Sequence, residues 1–369
     1  MSIIQPVAEQ TPAGAVVSAP APAVEAGGAV APLAARAPRP MLARDADSMY
    51  WMCRYVERAE HVARLMAVND GVLTDLGDLA ASLERRQWRA VLRILRMPEP
   101  AEPGDAAESN GDSALPFSRR VTRHMIFEAD NPNGLLCCLT RARDNARGIR
   151  ENISSEMWES LNALYWFIAA EDAPGRFAES SGDFYRQVMT GSMLFQGLAD
   201  QTLPHDQPWR FTQLAKHLER ADVTCRVIDH GFQSLEAAAA AAGPLETPLR
   251  NIHWTAVLRS CCSIEAHRRR HVGELDPHRV IGFILLEADY PRSVRYCAAA
   301  ALEAIAGIRA ETRPPGTDAA ERILGRLEAR LAYAVIPEVI AGGLSSFLGS
   351  VQDDLASAAL AVQKAYFLQ

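Results

Sequence analysis

The chain has 369 residues, 49% hydrophobic, 22% charged and 7% aromatic, a composition of ordinary globular proteins rather than collagenous, fully disordered or membrane ones. No apolar run approaches the roughly 18 residues that a spanning helix needs. With 38 Lys+Arg against 45 Asp+Glu the formal charge is −7, so the totals supply none of the electrostatic footprint expected of a nucleic-acid-binding protein.

Residues 1–40 are rich in Ala, Pro, Val and Gly, too aperiodic to bury a core, and are expected to form a disordered tail. The segment lacks the basic start and unbroken apolar stretch of a signal peptide. From Asp45 onward apolar residues recur at spacings of three and four, with scarcely any alternation. The spacing predicts helices over 45–70, 75–95, 118–128, 132–152, 155–170, 182–201, 209–235, 249–270, 278–286, 291–311, 318–334 and 344–367. Loops are expected at 98–116, in the alanine run with Gly243, Pro244 and Pro248, and at 313–317, where Pro, Gly and polar residues cluster.

Four blocks recur in one order at a nearly constant spacing of about 160 residues. Tyr55-Val56-Glu57-Arg58-Ala59-Glu60 is echoed by His217-Leu218-Glu219-Arg220-Ala221-Asp222. Trp88-Arg89-Ala90-Val91-Leu92-Arg93 returns as Trp254-Thr255-Ala256-Val257-Leu258-Arg259. Glu128-Ala129-Asp130-Asn131-Pro132 returns as Glu287-Ala288-Asp289-Tyr290-Pro291, and Gly148-Ile149-Arg150 as Gly307-Ile308-Arg309. The expected fold is therefore all-α: two duplicated helical halves, 41–205 and 206–369, packed as one pseudo-symmetric helical bundle.

Charge is patterned along these helices. At 100° per residue Arg54, Glu57, Arg58, His61 and Arg64 share about a third of the first helix's circumference, opposite an apolar side. Lys216, Glu219, Arg220 and Arg226 form the matching stripe, with Val223 in place of His61. A solvated face would account for one such stripe; its repetition points equally to an internal ionic network or a binding face. The Glu-Ala-Asp-x-Pro blocks are expected to place Asp130 and Asp289 at helix entrances as caps. Glu128 and Glu287 follow apolar segments, where a carboxylate needs a partner. The expected partners are Arg58 and Arg64 for Glu128 and Asp130, and Arg220 and Arg226 for Glu287 and Asp289, as a structural clamp or a functional pocket.

Other chemistry is poorly supported. Of the 38 cationic residues only Lys216 and Lys364 are lysine, and no phosphate-binding loop is present. Seven cysteines, including the adjacent pairs Cys137-Cys138 and Cys261-Cys262, show no Cys-x-x-Cys, which argues for a reducing compartment and against disulfides or structural zinc. His267 and His271 lie one turn apart, but three arginines intervene and repel a cation. No metal and no cofactor is expected.

The block from Asp47 to Glu60, Asp-Ser-Met-Tyr-Trp-Met-Cys-Arg-Tyr-Val-Glu-Arg-Ala-Glu, resembles the bacterial alpha-E domain family, helical proteins named for a Glu-Arg motif. The resemblance continues through Glu128 to Pro132, Arg143-Asp144-Asn145-Ala146-Arg147, Leu161-Asn162, His217 to Asp222 and Glu287 to Val294, with Cys53 where the family usually has glycine. It implies a genomic neighbourhood rather than a reaction: such proteins are commonly encoded beside, or fused to, a circularly permuted ATP-grasp protein, often with a transglutaminase-like protein. The set is thought to form or modify amide bonds. The resulting expectation is a cytoplasmic accessory or scaffold protein for an ATP-grasp peptide ligase, with the Arg/Glu stripes forming an internal polar network or a groove in which arginine holds an anionic group such as a carboxylate or phosphate bidentately. The alternative is a stand-alone peptide- or amide-modifying enzyme using Glu57 or Glu128 as general acid/base beside Arg58.

Overall fold

The computed structural model describes residues 41–77, 80–100, 115–242, 247–312 and 318–368. The expected tail at 1–40, most of the 98–116 loop, the Gly243–Pro244 turn and the 313–317 loop lie outside the described residues. Among the described residues every regular element is helical. In chain order these are α1 (Ala43–Leu76), α2 (Ala80–Leu95), α3 (Phe117–Ile126), α4 (Leu135–Gly148), α5 (Ser155–Ala169), α6 (Ala173–Glu179), α7 (Ser181–Thr202) and α8 (Gln207–Ala242). They continue with α9 (Thr247–Ser260), α10 (Ile264–Arg270), α11 (Pro277–Leu286), α12 (Val294–Thr312), α13 (Asp318–Ala332), α14 (Ile336–Ala341), α15 (Leu344–Val362) and a final π turn (Gln363–Phe367).

The two long helices α1 and α8 pack against each other at the centre; α4 and α7 cover α1, and α12 and α15 cover α8. A helix enclosed in this way cannot follow the usual one-sided pattern. On α1 the apolar side buries Met49, Met52, Cys53, Val56, Val62 and Met66 completely, while Glu57, Glu60 and His61 on the remaining surface are buried almost as deeply. The charged stripe thus faces the interior, not solvent. The indoles of Trp88 on α2 and Trp254 on α9 are also enclosed.

Several boundaries differ from the sequence reading, among them the alanine run expected as loop, through which α8 continues to Ala242 because alanine favours helix. The first helix runs six residues beyond Asp70 and stops only where Gly77 adopts φ 53°, a left-handed value that suits glycine. The single helix expected over 249–270 breaks into α9 and α10 at Cys261-Cys262-Ser263, with Cys262 at φ 56°. No Gly or Pro marks that break; Tyr290 Oη donates to the Cys261 and Cys262 carbonyls and Ser263 Oγ to the Leu258 carbonyl, satisfying oxygens that the helix would otherwise have used. The short helices α6 and α14, each with Pro in its first turn, escape periodicity because they span fewer than two full turns. Both Glu-Ala-Asp-x-Pro blocks end in a turn, so α4 and α12 begin three residues past the proline.

Candidate functional site

The Glu-Arg dipeptides of α1 and α8 meet across the central helix pair and exchange partners. Arg220 of α8 grips Glu57 of α1 in two-point fashion, Nε to Oε1 at 2.6 Å and Nη2 to Oε2 at 3.0 Å. Reciprocally, Arg58 of α1 grips Glu219 of α8, Nε to Oε1 at 2.7 Å and Nη2 to Oε2 at 3.1 Å. Fork-on-fork pairing of this kind adds geometric definition to charge attraction.

Each end carries further support. Arg54 donates to Glu219 Oε2 at 2.7 Å and to Tyr50 Oη at 2.7 Å, while Arg58 Nη1 reaches Asn133 Oδ1 at 2.9 Å. At the other end Arg220 Nη1 donates to the Pro291 carbonyl at 3.2 Å and Gln196 Nε2 to Glu57 Oε2 at 3.4 Å. A second carboxylate, Glu60, lies two residues beyond the motif and accepts from Arg292 at 3.2 Å and from Arg64 Nε at 2.8 Å. His61 sits between the two acids, Nε2 3.4 Å from Glu57 and Nδ1 3.6 Å from Glu60.

The side chains of Glu57, Glu60 and Glu219 are each 2% exposed. Burial alone would raise their acidities' midpoints, but the guanidinium groups outweigh it. Arg220, the His61 contact and Arg292 hold Glu57 well below the carboxylate range. Arg292 and Arg64 hold Glu60 at about 2, and Arg54 and Arg58 lower Glu219 further. All three are carboxylates at neutral pH, with their oxygens already taken by donors. That leaves little capacity for general acid or base work.

Glu57, Glu60 and His61 could present ligand atoms within 4.8 Å of one another, the spacing of a metal site. The donor set does not fit a cation, because Arg220, Arg64 and Arg292 occupy the carboxylate oxygens and would repel it. The buried thiols of Cys53 and Cys138 near the network are pushed up to about 12 by desolvation, which suppresses thiolate chemistry.

The sequence-derived partners of the Glu-Ala-Asp-x-Pro blocks require correction. Glu128 is half-buried and pairs with His124 at 2.5 Å, not with Arg58 or Arg64, and Asp130 is exposed. Glu287 pairs with Arg270 at 2.8 Å and Asp289 lies 3.6 Å from the same arginine, not from Arg220 or Arg226. Neither aspartate caps a helix: Gly134 precedes α4 without a side-chain cap, and Ser293 Oγ accepts from Tyr296 N at the start of α12. The acids stand before each proline, away from the network, and the parts that reach it are Asn133 and the Pro291 carbonyl with Arg292. Arg226 stays on α8, bonded to Asp222 at 2.9 Å and to the Ile94 carbonyl.

Glu60, Arg292, Asn133 and Gln196 were not identified as site residues from the sequence. Glu60 had a local signal, being one turn before Arg64; the others come from distant segments and carried none. A surface cavity of about 470 Å³ lined by Asp70, Glu84, Trp88, Arg119 and Thr122 includes no residue of the network. Among the described residues no helix is long and apolar enough to cross a membrane.

No solved structure matches this chain. Uncharacterized proteins of Mycobacterium bovis and Mycobacterium tuberculosis are each 24% identical to it over 318 residues, covering 83% of this chain and 34% of the relative. The chain thus spans about a third of the length of the curated relatives it matches. The model of the Alpha-E family, described as a predicted alpha-helical domain with a conserved ER motif, matches residues 41–367. With Glu57-Arg58 at its centre and that match running nearly end to end, the chain belongs to the Alpha-E family.

Proposed function

We propose that the protein is an accessory or scaffold component of an ATP-grasp-type amide or peptide ligase system, acting in the bacterial cytoplasm. The observation that carries this reading is the state of the Glu-Arg residues: buried, mutually paired and held as charged forms, Glu57, Arg58, Glu219 and Arg220 stiffen a helical body, and neither glutamate is left as a free acid or base. The curated relatives add support, since the matched region is about a third of each and is joined there to further chain. Partners under this reading are a circularly permuted ATP-grasp protein and a transglutaminase-like protein. The stand-alone enzyme has less support, because Glu57 has both oxygens occupied and Glu128 lies outside the network. We also infer that 41–205 and 206–369 are duplicated halves related by a pseudo-twofold; the repeated blocks and the reciprocal Glu57–Arg220 and Glu219–Arg58 pairs support this.

Co-purification with the neighbouring ATP-grasp protein, followed by an amide-forming assay, tests the role. A complex whose turnover depends on this chain is expected, with Arg58→Ala and Glu219→Ala weakening assembly in step with loss of folding. Amide turnover by the chain alone, or no complex in any combination, would overturn it.

A further inference from the structure

The outward face of α4 and α5 handles cationic charge differently from the buried network. Arg143 of α4 donates from Nε to Asn162 Oδ1 of α5 at 2.6 Å. Its guanidinium carbon lies 4.7 Å from the Tyr165 ring centre, 5.6 Å from Trp166 and 5.7 Å from Trp158. Seven residues after Arg143, in the turn that follows α4, Arg150 lies over the Trp158 ring at 4.7 Å and is exposed. Neither arginine closes on a carboxylate among the described residues; Asp144, on the same helix, is engaged by Arg147 at 3.9 Å.

An aromatic ring attracts a guanidinium by about 0.5–2 kcal/mol but leaves its charge uncompensated. It also fixes the plane of the group. With Nε held by Asn162, both Nη groups of Arg143 are left to meet a ligand, and two parallel N–H donors match the two oxygens of a carboxylate or phosphate. Trp166, 54% exposed beside Arg143, supplies a large apolar surface next to that charge. The helix pair α12 and α13 provides the contrast, for there Arg309 donates to Glu321 at 3.1 Å and its charge is already met.

We propose that the face shared by α4, the turn that follows it and α5 is an oxyanion-binding site, in which Arg143 and Arg150 hold a carboxylate or phosphate of a ligand whose apolar part rests on Trp166. None of its residues belongs to the Glu-Arg network, so the site and the scaffold role stand or fall separately. Titration calorimetry on the full chain distinguishes the sources. The probes are inorganic phosphate, N-acetyl-phenylalanine as a carboxylate, and N-acetyl-phenylalanine amide as its uncharged twin.

Binding of either oxyanion, with no binding of the amide, is expected; the probe that binds names the source, and binding of both leaves the shared chemistry as the recognised feature. Arg143→Leu is expected to weaken binding at least about tenfold, in line with loss of a charge-assisted pair. Arg143→Lys, which keeps the charge and loses the fork, is expected to weaken it less, and Arg150→Leu to act in the same direction as Arg143→Leu. Arg186→Ala on α7, an exposed arginine paired with Asp183, serves as a control expected to bind like the parent. If Arg143→Leu fails to fold, Arg150→Leu and Arg143→Lys carry the comparison. Absence of binding by both oxyanions, equal binding of the amide, or unchanged affinity in the folded Arg143 and Arg150 variants would overturn the proposal.

Discussion

At the Glu219 end of the network, one carboxylate is shared by two arginines of α1 whose side chains keep 13% and 21% exposure. At the Glu57 end, two carboxylates are enclosed by Arg220, Arg292, Arg64 and His61, and the exposure of those arginines falls to between 9% and 12%. The same dipeptide is therefore supported in two ways. One acid answers for two cations near the surface, whereas several donors overlap on two acids in the interior. The difference teaches that redundancy, not burial alone, should set how much each residue matters.

The largest effect is expected from Glu219→Ala, which leaves both Arg54 and Arg58 without their acid; breaking buried pairs costs about 3–5 kcal/mol, and this variant belongs at the upper end. Urea unfolding monitored by circular dichroism measures it. Arg220→Ala is expected nearer about 3 kcal/mol, because Glu57 retains Gln196, His61 and the more distant Arg292. If Arg220→Ala proves the costlier change, redundancy is not what distinguishes the two ends.

Acid sharpens the same comparison. Glu60 is held at about 2 against an ordinary value of 4.5, and Glu57 and Glu219 are lowered as well. Below pH 4.5 the unfolded chain takes up protons that the native carboxylates refuse, so their contribution to stability is present above that pH and is lost as the pH falls toward 2. The urea midpoint is expected to drop steeply through this window, and Glu60→Gln to flatten the drop. An equal slope in the variant would mean that Glu60 is not among the responsible acids.

Smaller effects lie away from the charges. A Cβ added at Gly231 on α8 would meet Val257 Cγ2 of α9 at 2.7 Å, so Gly231→Ala should cost about 1–3 kcal/mol by overpacking while leaving the acid profile unchanged. At Gly307 the added atom would meet only the end of the Arg210 side chain, which can swing aside at the expense of its partly exposed pair with Glu311; a cost below about 1 kcal/mol is expected from thermal melts. Smallest of all should be the joint replacement Arg54→Met, Arg58→Met and Glu219→Leu, within about 1 kcal/mol of the parent, since removing all members of an ionic cluster strands no charge. A loss as large as that of Glu219→Ala alone would show net stabilisation by the cluster.

Much of the architecture was legible in advance. Period-3.6 spacing marked the long helices, and the similar blocks Tyr55–Glu60 and His217–Asp222 fall on α1 and α8, the two central ones. Within the site, Arg54, Glu57, Arg58, His61, Glu219 and Arg220 were all visible as stripes. The acids of the Glu-Ala-Asp-x-Pro blocks were assigned wrongly, because apolar neighbours in sequence do not say which way a turn projects its side chains. Asn133 and Arg292 were overlooked for the complementary reason: isolated polar residues after a proline look like loop decoration until the turn is folded against α1.

Sequence by itself determined the helical class, the apolar and charged sides of α1 and α8, and the repeated Glu-Arg dipeptide. These are properties of residue type and spacing along one chain, and a helical wheel expresses them completely. Tertiary structure alone decided that Glu57 meets Arg220 while Glu219 meets Arg58, and that Arg292 arrives to balance Glu60. Coulomb attraction depends on distance through space and on the loss of competing water, and neither is defined until the helices have packed.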